Sequence, residues 1–307
     1  MNRRTFIENS AIGIATTLAT PNWIFAESLG ANPKVKWGIA LIPWGDSYLK
    51  GIEEISTLGV HGVQIRNNAF NAFKEKPLEL KNLCKKLEIE IPIMSGGDVN
   101  PDPKERGLLL AQFEDRAKFL KSLGGKFIQA TTFKRDSFPP GKDKLLELAQ
   151  TLNLVGETVK KHGIELLLHN HMHQLCQTPE ELSFILDSTD PKKVGLLLDV
   201  AHYAQAGGNP SEAIIKYKKR LKLLHIKDLL SPKPNHQGPN VYNYQFVELG
   251  KGNKIHLNEI LTALKEIRFK DWCMIELDAV PNPKETALEA SRTSIEYLKA
   301  NFGYKFG

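Results

Sequence analysis

The chain has 307 residues, of which 41% are hydrophobic, so it is long enough for one large core such as that of an α/β barrel, which typically needs about 250 residues. Its net charge is +6, but the basic residues are spread along helix-like surfaces such as that of Lys81, Lys85 and Lys86, which argues against a nucleic-acid-binding stripe. The three cysteines are an odd number without CxxC spacing, which indicates neither a disulfide framework nor a zinc ribbon.

The N-terminus differs from the rest of the chain. Arg3 and Arg4 precede the weakly apolar run AIGIATTLA, and no acidic residue occurs before Glu8. Paired arginines followed by a modest apolar stretch resemble a twin-arginine export signal, which we assign to residues 1–26. We therefore expect an exported, periplasmic protein. Because the run is too short to span a bilayer, we expect no membrane segment in the mature form. An ordinary N-terminal extension is the alternative interpretation.

Short apolar strands alternate with helical patterns along the rest of the chain. The first predicted strand, residues 35–40, precedes a helix at residues 47–58, and the next three strands lie in HGVQIRNN, KLEIEIPIMSGG and GGKFIQATT. The other predicted helices span residues 77–87, 103–123, 142–162, 179–187, 210–217, 257–267 and 284–300. With four more strands, the eight repeats favour a single-domain (β/α)8 TIM barrel over residues 35–307.

The last four predicted strands all end in ionisable residues. Residues 164–170, 194–199, 221–227 and 271–277 are short apolar runs of the kind that is buried on both faces of a parallel sheet. The ionisable residues at their carboxyl ends are His169, His171 and His173; Asp199 and His202; His225, Lys227 and Asp228; and Glu276 and Asp278. In a parallel barrel these ends open on one face, where active sites are built. Imidazoles and carboxylates that converge there suit a divalent metal ion.

The stretch from residue 229 to residue 253 is the longest one without a predicted helix or strand. A loop of this length after the seventh strand is typical of a functional segment. Its residues Tyr242, Tyr244 and Phe246 are candidates to cover a sugar face, and His236 is a candidate for an additional polar contact. The alternative is that all four are ordinary surface residues.

Four motifs carry a resemblance to a known family. HNHMHQLCQTPEE and LLLDVAHYAQAGGNP resemble segments of the inosose dehydratase branch of the xylose isomerase-like TIM-barrel superfamily of sugar isomerases and epimerases. RLKLLHIKD and FVELGKG match the same pattern, so the resemblance covers nearly all of the chain after the N-terminal signal. These motifs specify the superfamily better than they specify a substrate.

The resemblance implies one divalent metal ion held by a Glu, an Asp, a His and a second Glu. At the matching positions stand Asp199, His225 and Glu276, whereas the first Glu has no counterpart. The strand register puts His169 in its place, with His171 as the next alternative, because residues two apart share a face of a strand. A histidine there makes the site less negative and softer, which favours Mn, Co or Zn over Mg.

Other residues near these strand ends are candidates for substrate binding. The resemblance implies that His202 contacts the substrate. Gln174 and His173 are placed to hydrogen-bond sugar hydroxyls, although His173 is equally suited to a solvent-facing position. Lys227 shares a strand face with His225 and is predicted to polarise a substrate oxygen, with a salt bridge to a neighbouring acid as the alternative.

The candidate residues predict an enzyme that acts on a small carbohydrate or cyclitol ketone. The metal ion would activate the carbonyl group, and Glu276, His171 or His202 would transfer the proton. The main prediction is a metal-dependent sugar isomerase or epimerase with an enediolate intermediate. The alternatives are a lyase, acting as an inosose dehydratase or on a 3-keto-glycoside, and a non-catalytic exported sugar-binding protein. No nucleic-acid partner is expected, and the oligomeric state is left open.

Overall fold

The structure is a computed structural model that describes residues 33–135, 139–234 and 243–307. The predicted export signal lies outside these residues, as do His236 and Tyr242. The export signal and the roles of these two side chains therefore stay predictions.

The strands of the described residues form a closed barrel and a separate hairpin. In chain order they are β1 (Lys36–Ala40), β2 (Gly62–Ile65), β3 (Glu90–Val99), β4 (Phe127–Thr132), β5 (Glu165–His169), β6 (Val194–Asp199), β7 (Leu221–Ile226), β8 (Asp228–Leu230), β9 (Gln245–Val247) and β10 (Trp272–Ile275). Parallel pairing in the order β1-β10-β7-β6-β5-β4-β3-β2 closes the barrel, and β8 pairs with β9. The prediction of a single-domain TIM barrel is confirmed.

The helices of the described residues surround the barrel. They are α1 (Tyr48–Ser56), α2 (Asn67–Phe73), α3 (Pro77–Lys86), α4 (Arg106–Leu123), α5 (Lys142–Lys160), α6 (Pro179–Asp187), α7 (Val200–Gln205), α8 (Pro210–Lys216), α9 (Leu257–Glu266) and α10 (Ala287–Phe302), with 3-10 turns at Ile42–Ser47 and Pro103–Glu105. The eight predicted helices are present with ends that differ by a few residues. Helices α2 and α7 were not predicted because they are short and, unlike α8, have no proline in the first turn to mark a helix start. None of the helices described here is long and apolar enough to cross a membrane.

Local sequence signals explain where several helices begin and end. Thr178 and Glu181 form a reciprocal capping box at the start of α6, and Pro179 occupies its first turn. Thr286 caps α10 in the same way, which is why that helix begins later than the predicted residue 284. Helix α4 ends at Gly124, whose φ of 89° is in the left-handed region that glycine adopts readily.

The barrel interior has an apolar layer directly beneath the ionisable residues. The side chains of this layer are Ile93, Phe127, Leu167, Leu197, Leu223, Trp272 and Met274. Alternate residues of a strand point to the same side, so the next inward positions above Leu167, Leu197 and Leu223 are His169, Asp199 and His225. The apolar layer therefore forms the floor of the polar site at the carboxyl ends of the strands.

The segment after β7 is more ordered than the sequence predicts. Strands β8 and β9 pair antiparallel, with Asp228 opposite Val247, so the prediction of an irregular stretch here is wrong for these residues. The carboxylate of Asp228 accepts hydrogen bonds from the backbone N–H groups of Gly250 (2.9 Å) and Gly252 (3.0 Å). Three-residue strands are too short for an alternation of polar and apolar residues to reveal them.

Candidate metal centre and active site

Four buried side chains converge at the carboxyl ends of the barrel strands. They are His169 at the end of β5, Asp199 at the end of β6, His225 in β7 and Glu276 just after β10. One potential ligand atom from each lies within 4.8 Å of the others. The parallel register produces this proximity, since β6 and β7 place Asp199 directly beside His225. The structure thus brings together the four residues predicted as metal ligands.

Each of the four residues has one buried polar atom without a hydrogen-bond partner among the described residues: His169 Nδ1, Asp199 Oδ2, His225 Nδ1 and Glu276 Oε2. His225 Nδ1 lies 3.2 Å from Glu276 Oε2 and 3.6 Å from Asp199 Oδ2. Leaving such atoms unsatisfied is unfavourable, and a cation bound to all four would compensate. Two imidazole nitrogens and two carboxylate oxygens are a donor set suited to a divalent transition metal or zinc.

In two of these side chains, His225 and Asp199, the atom that faces away from the centre is hydrogen-bonded. His225 Nε2 donates to Gln64 Oε1 (2.8 Å), because a carbonyl oxygen can only accept, and Nδ1 is thereby directed to the centre. Asp199 Oδ1 accepts from the backbone N–H groups of Ala201 and His202 at the start of α7, which leaves Oδ2 for the centre. His225 and Asp199 are therefore oriented by the protein itself.

Gln64 belongs to a polar group that the sequence did not reveal. Its side-chain amide donates to Gln129 Oε1 (2.5 Å) and to Ser95 Oγ (3.1 Å). These residues come from β2, β4 and β3, where Gln64 is the one polar side chain of its strand and Gln129 and Ser95 each follow apolar residues. The only sequence signal was an unexpected glutamine or serine at an inward strand position, and this becomes informative only when the strand register is known.

Burial and neighbouring charges determine the ionisation of the ligands. Burial lowers the pKa of His169 well below its usual range, so that its ring is neutral and free to bind a cation. Burial also acts to lower the pKa of His225, but Glu276 and Asp199 outweigh it and raise this pKa to about 9. Burial acts to raise the pKa of Asp199, whereas Lys227 and His202 hold it well below its usual range. Both carboxylates and one neutral imidazole are thus available to a cation, which has to displace a proton from His225.

Lys227 is buried beside the four ligands and is only 1% exposed. Its Nζ lies 2.7 Å from Glu276 Oε1, 2.8 Å from Asp278 Oδ1 and 3.1 Å from Asp199 Oδ2. The ring of Phe246 covers the ammonium group with its centroid 4.7 Å away. Lys227 therefore forms the salt bridges that were the alternative prediction for it. Its contact with a substrate oxygen stays a prediction.

A second group of ionisable side chains, His171, His202 and Asp278, lies next to the first. His171 Nδ1 donates to the carbonyl oxygen of Met172 (2.7 Å), so Nε2 keeps its lone pair. The His171 and His202 rings have centroids 3.9 Å apart. His202 is buried, and burial lowers its pKa well below the usual range, which makes it a neutral neighbour of His171.

A cavity of about 460 Å³ opens above these groups, and its lining includes His169, His171, Glu276 and Asp278. On the side of β1 to β4 the wall is polar, with the side chains of Asp46, Arg66, Asn67, Ser95, Asp98 and Gln129. None of these six was singled out from the sequence. The lining has four carboxylates and one guanidinium group, so the cavity is acidic before a cation binds.

Other candidates for substrate binding have partners within the protein. Gln174 Oε1 accepts from the backbone N–H of Thr132 (3.0 Å), and Gln174 does not line the cavity. Tyr244 packs on Phe246 with ring centroids 5.3 Å apart, and it contacts His173 through its hydroxyl (3.3 Å). His202 packs against the His171 ring and does not line the cavity. A direct contact with substrate therefore stays a prediction for both Gln174 and His202.

Comparisons with known proteins agree with this architecture. The model of the family described as "Xylose isomerase-like TIM barrel" matches residues 52–301. An inosose dehydratase of Mesomycoplasma hyopneumoniae is 29% identical over 296 residues, which cover 87% of this chain and 96% of that protein. This relative is therefore similar along almost its whole length.

Solved structures show the same fold at lower sequence identity. The IOLI protein, crystallised with a bound zinc atom, superposes with a TM-score of 0.73 at 22% identity and covers 88% of this chain and 98% of that one. A D-tagatose 3-epimerase-like protein superposes with a TM-score of 0.67 at 21% identity and covers 87% and 98% of the two chains.

Proposed function

We propose that this chain, which belongs to the xylose isomerase-like TIM-barrel family, is a metal-dependent lyase that removes water from a polyhydroxylated ketone. The observation that carries the proposal is the convergence of four buried potential ligands, each with one atom that makes no hydrogen bond to the described residues, at the base of a cavity that His171 also lines. One divalent ion, for which Mn, Co or Zn suits the two imidazoles better than Mg, is proposed as the cofactor.

His169, Asp199, His225 and Glu276 are proposed to hold the ion. A bound divalent ion supplies Lewis acidity, which polarises a substrate carbonyl group and makes the adjacent C–H group more acidic. Gln64 orients the His225 ring, and the backbone of α7 orients Asp199, so that little reorganisation is needed.

His171 is proposed as the base. Its Nε2 carries a lone pair because Nδ1 donates to the Met172 carbonyl oxygen, and the ring lines the cavity. Nε2 removes the proton from the carbon next to the ketone and returns it to the hydroxyl group that leaves the following carbon. One C–H bond and one C–O bond break, a C=C bond forms, and water departs with no net change in the enzyme.

The curated relative that is similar over nearly its full length is named an inosose dehydratase, which favours the lyase among the predicted alternatives. The main prediction from the sequence, a sugar isomerase or epimerase, is the second candidate, and a D-tagatose 3-epimerase-like protein has the same fold. The first proton transfer is the same for both reactions. They differ in whether the proton returns to carbon or to a departing hydroxyl group.

The cavity favours an uncharged substrate. Asp46, Asp98 and Asp278 face it together with Glu276, and Arg66 is the one cationic side chain in the described lining. Phosphate or carboxylate groups would meet like charges there, whereas hydroxyl groups can donate to these carboxylates. We therefore propose a neutral carbohydrate or cyclitol ketone as the substrate.

The test measures by NMR, in D₂O, whether a substrate proton exchanges with the solvent. The Mn²⁺-loaded protein is incubated with an inosose, a set of neutral keto-sugars and a 3-keto-glycoside. Loss of water or of an aglycone supports the lyase, and deuterium on carbon without elimination supports the isomerase or epimerase. No exchange with any of these compounds would contradict both and favour a non-catalytic sugar-binding protein.

We also propose that the protein is exported to the periplasm, on the basis of Arg3, Arg4 and the apolar run that follows. The test is expression of the full chain in a bacterium with and without a functional twin-arginine pathway. Periplasmic protein that lacks its first residues, and that is lost without the pathway, is expected. Uncleaved cytoplasmic protein in both strains would contradict this proposal.

A further inference from the structure

The Lys227 ammonium group has surroundings that resemble the coordination of a metal ion. Four side-chain atoms surround Nζ: Glu276 Oε1 (2.7 Å), Asp278 Oδ1 (2.8 Å), Asp199 Oδ2 (3.1 Å) and His202 Nε2 (3.3 Å). Three carboxylates and an imidazole are more acceptors than one ammonium charge requires. The same residue types bind divalent ions in proteins.

Two of these carboxylates also face the four-ligand centre. Glu276 directs Oε1 to Lys227, and its other oxygen, Oε2, lies 3.2 Å from His225 Nδ1. Asp199 Oδ2 lies 3.1 Å from Lys227 Nζ and 3.6 Å from His225 Nδ1. Carboxylates that lie between two positive positions in this way are typical of sites that hold two metal ions about 3.5–4 Å apart.

We propose that the Lys227 ammonium takes the place of a second divalent ion and thereby limits the centre to one metal. This inference rests on the metal centre of the proposed function. A fixed ammonium pairs with Glu276 Oε1 and Asp199 Oδ2, but it offers no coordination position to substrate. The protein thus keeps a positive charge at this second position without the Lewis acidity of a metal ion.

The position of Nζ is one that a metal ion could use if the lysine were shortened. Asp278 and His202 contact Nζ and lie outside the four-ligand centre, and their potential ligand atoms lie within 4.8 Å of each other and of one from His171. Removing the lysine would leave up to three carboxylates with a single metal ion to balance them. Burial makes such uncompensated charge costly, which favours uptake of a second ion.

The experiment measures bound Mn²⁺ in wild type, Lys227→Ala, Lys227→Ala/Asp278→Ala and Arg135→Ala. Arg135→Ala is the matched control because it removes another largely buried cation, whose partner Glu181 belongs to neither group of potential ligands. After equilibration and gel filtration, manganese is determined by mass spectrometry, and electron paramagnetic resonance tests whether two Mn²⁺ ions are magnetically coupled. Circular dichroism with and without Mn²⁺ monitors folding.

We expect about one Mn²⁺ per chain in the wild type and in Arg135→Ala, about two coupled ions in Lys227→Ala, and about one again in the double variant. One ion in Lys227→Ala would overturn the inference and leave the proposed function intact. Failure of Lys227→Ala and of the milder Lys227→Asn to fold even in excess Mn²⁺ would also overturn it, because a divalent ion should replace the ammonium. No manganese in the wild type would overturn the proposed metal centre itself.

Discussion

Gln64 determines which nitrogen of His225 faces the metal centre. The hydrogen bond from His225 Nε2 to Gln64 Oε1 places the proton on the outer nitrogen and directs Nδ1 inward. Without this partner the ring can rotate or adopt the other tautomer, and either change withdraws a ligand. Gln64, which is not one of the four proposed ligands, is thus expected to contribute to the affinity for the ion.

The substitution Gln64→Ala is expected to weaken Mn²⁺ binding by about 10- to 100-fold, which is typical when the hydrogen-bond partner of a ligating histidine is removed. Gln64→Glu is the control, since a carboxylate can accept the same hydrogen bond. Titration calorimetry measures both affinities. Equal affinities in Gln64→Ala and wild type would show that the ring is oriented by other contacts.

His169 and His171 are two residues apart but have different expected roles, and the sequence left both open as the fourth ligand. In the structure His169 groups with the three other ligands, whereas His171 groups with His202 and Asp278. His171→Ala is expected to keep one Mn²⁺ and to lose about 10²- to 10⁴-fold in turnover. His169→Ala is expected to lose the metal. Metal analysis and the exchange assay on both variants distinguish the roles, and loss of metal in His171→Ala would reverse the assignment.

The β8–β9 hairpin depends on one buried carboxylate. Asp228 accepts backbone hydrogen bonds from Leu229, Gly250 and Gly252, and these hold the loop that follows β9, the strand that carries Phe246 over Lys227. Burial raises the pKa of this carboxyl group, and the hydrogen bonds from the three backbone N–H groups oppose that shift only in part. The hairpin therefore connects the carboxyl end of β7 to Phe246, which covers Lys227.

Asp228→Ala is expected to lower the free energy of unfolding by about 2 kcal/mol or more, because several backbone N–H groups lose a charged acceptor. Asp115→Ala, at an exposed position of α4, should change it by no more than about 0.5 kcal/mol. Urea unfolding measures both, and hydrogen exchange at Gly250 and Gly252 locates the loss. An effect as small as that of Asp115→Ala would mean that other contacts hold the hairpin.

Longer helices and strands were predicted from the sequence better than short ones. Helix α6 was predicted with both of its ends because Thr178, Pro179 and Glu181 form an unambiguous start signal. The β8–β9 hairpin was missed because each strand has only three residues and its pairing depends on Asp228, whose contacts are distant in sequence. Long-range hydrogen bonds of this kind leave no periodic pattern.

At the scale of the whole molecule, closure of the barrel assembles the site from strands that are far apart in the chain. The four ligands were identifiable from the sequence because each follows an apolar run directly. Gln64, Ser95 and Gln129 were not, since their proximity to His225 arises only when β1 pairs with β10 and the barrel closes. The sequence therefore predicted the four residues that converge on one side of the site and not the opposite wall.

A ligand that binds only the folded barrel must stabilise the whole domain. At a free Mn²⁺ concentration about 100-fold above the dissociation constant, the expected gain is about 2.7 kcal/mol, and removal of the metal with a chelator should reverse it. Thermal unfolding with Mn²⁺ and with chelator measures the effect. His169→Ala is the control that should show little shift, and an equal shift in this variant would indicate binding elsewhere.

The apolar layer that includes Leu167, Leu197 and Leu223 closes the cavity from below. Reactant and product must therefore use the same entrance at the barrel mouth, and each excludes the other while it occupies the centre. Turnover then has a strict order, in which departure of one molecule precedes arrival of the next. Accumulated product should compete directly with substrate, so that it raises KM and leaves kcat unchanged.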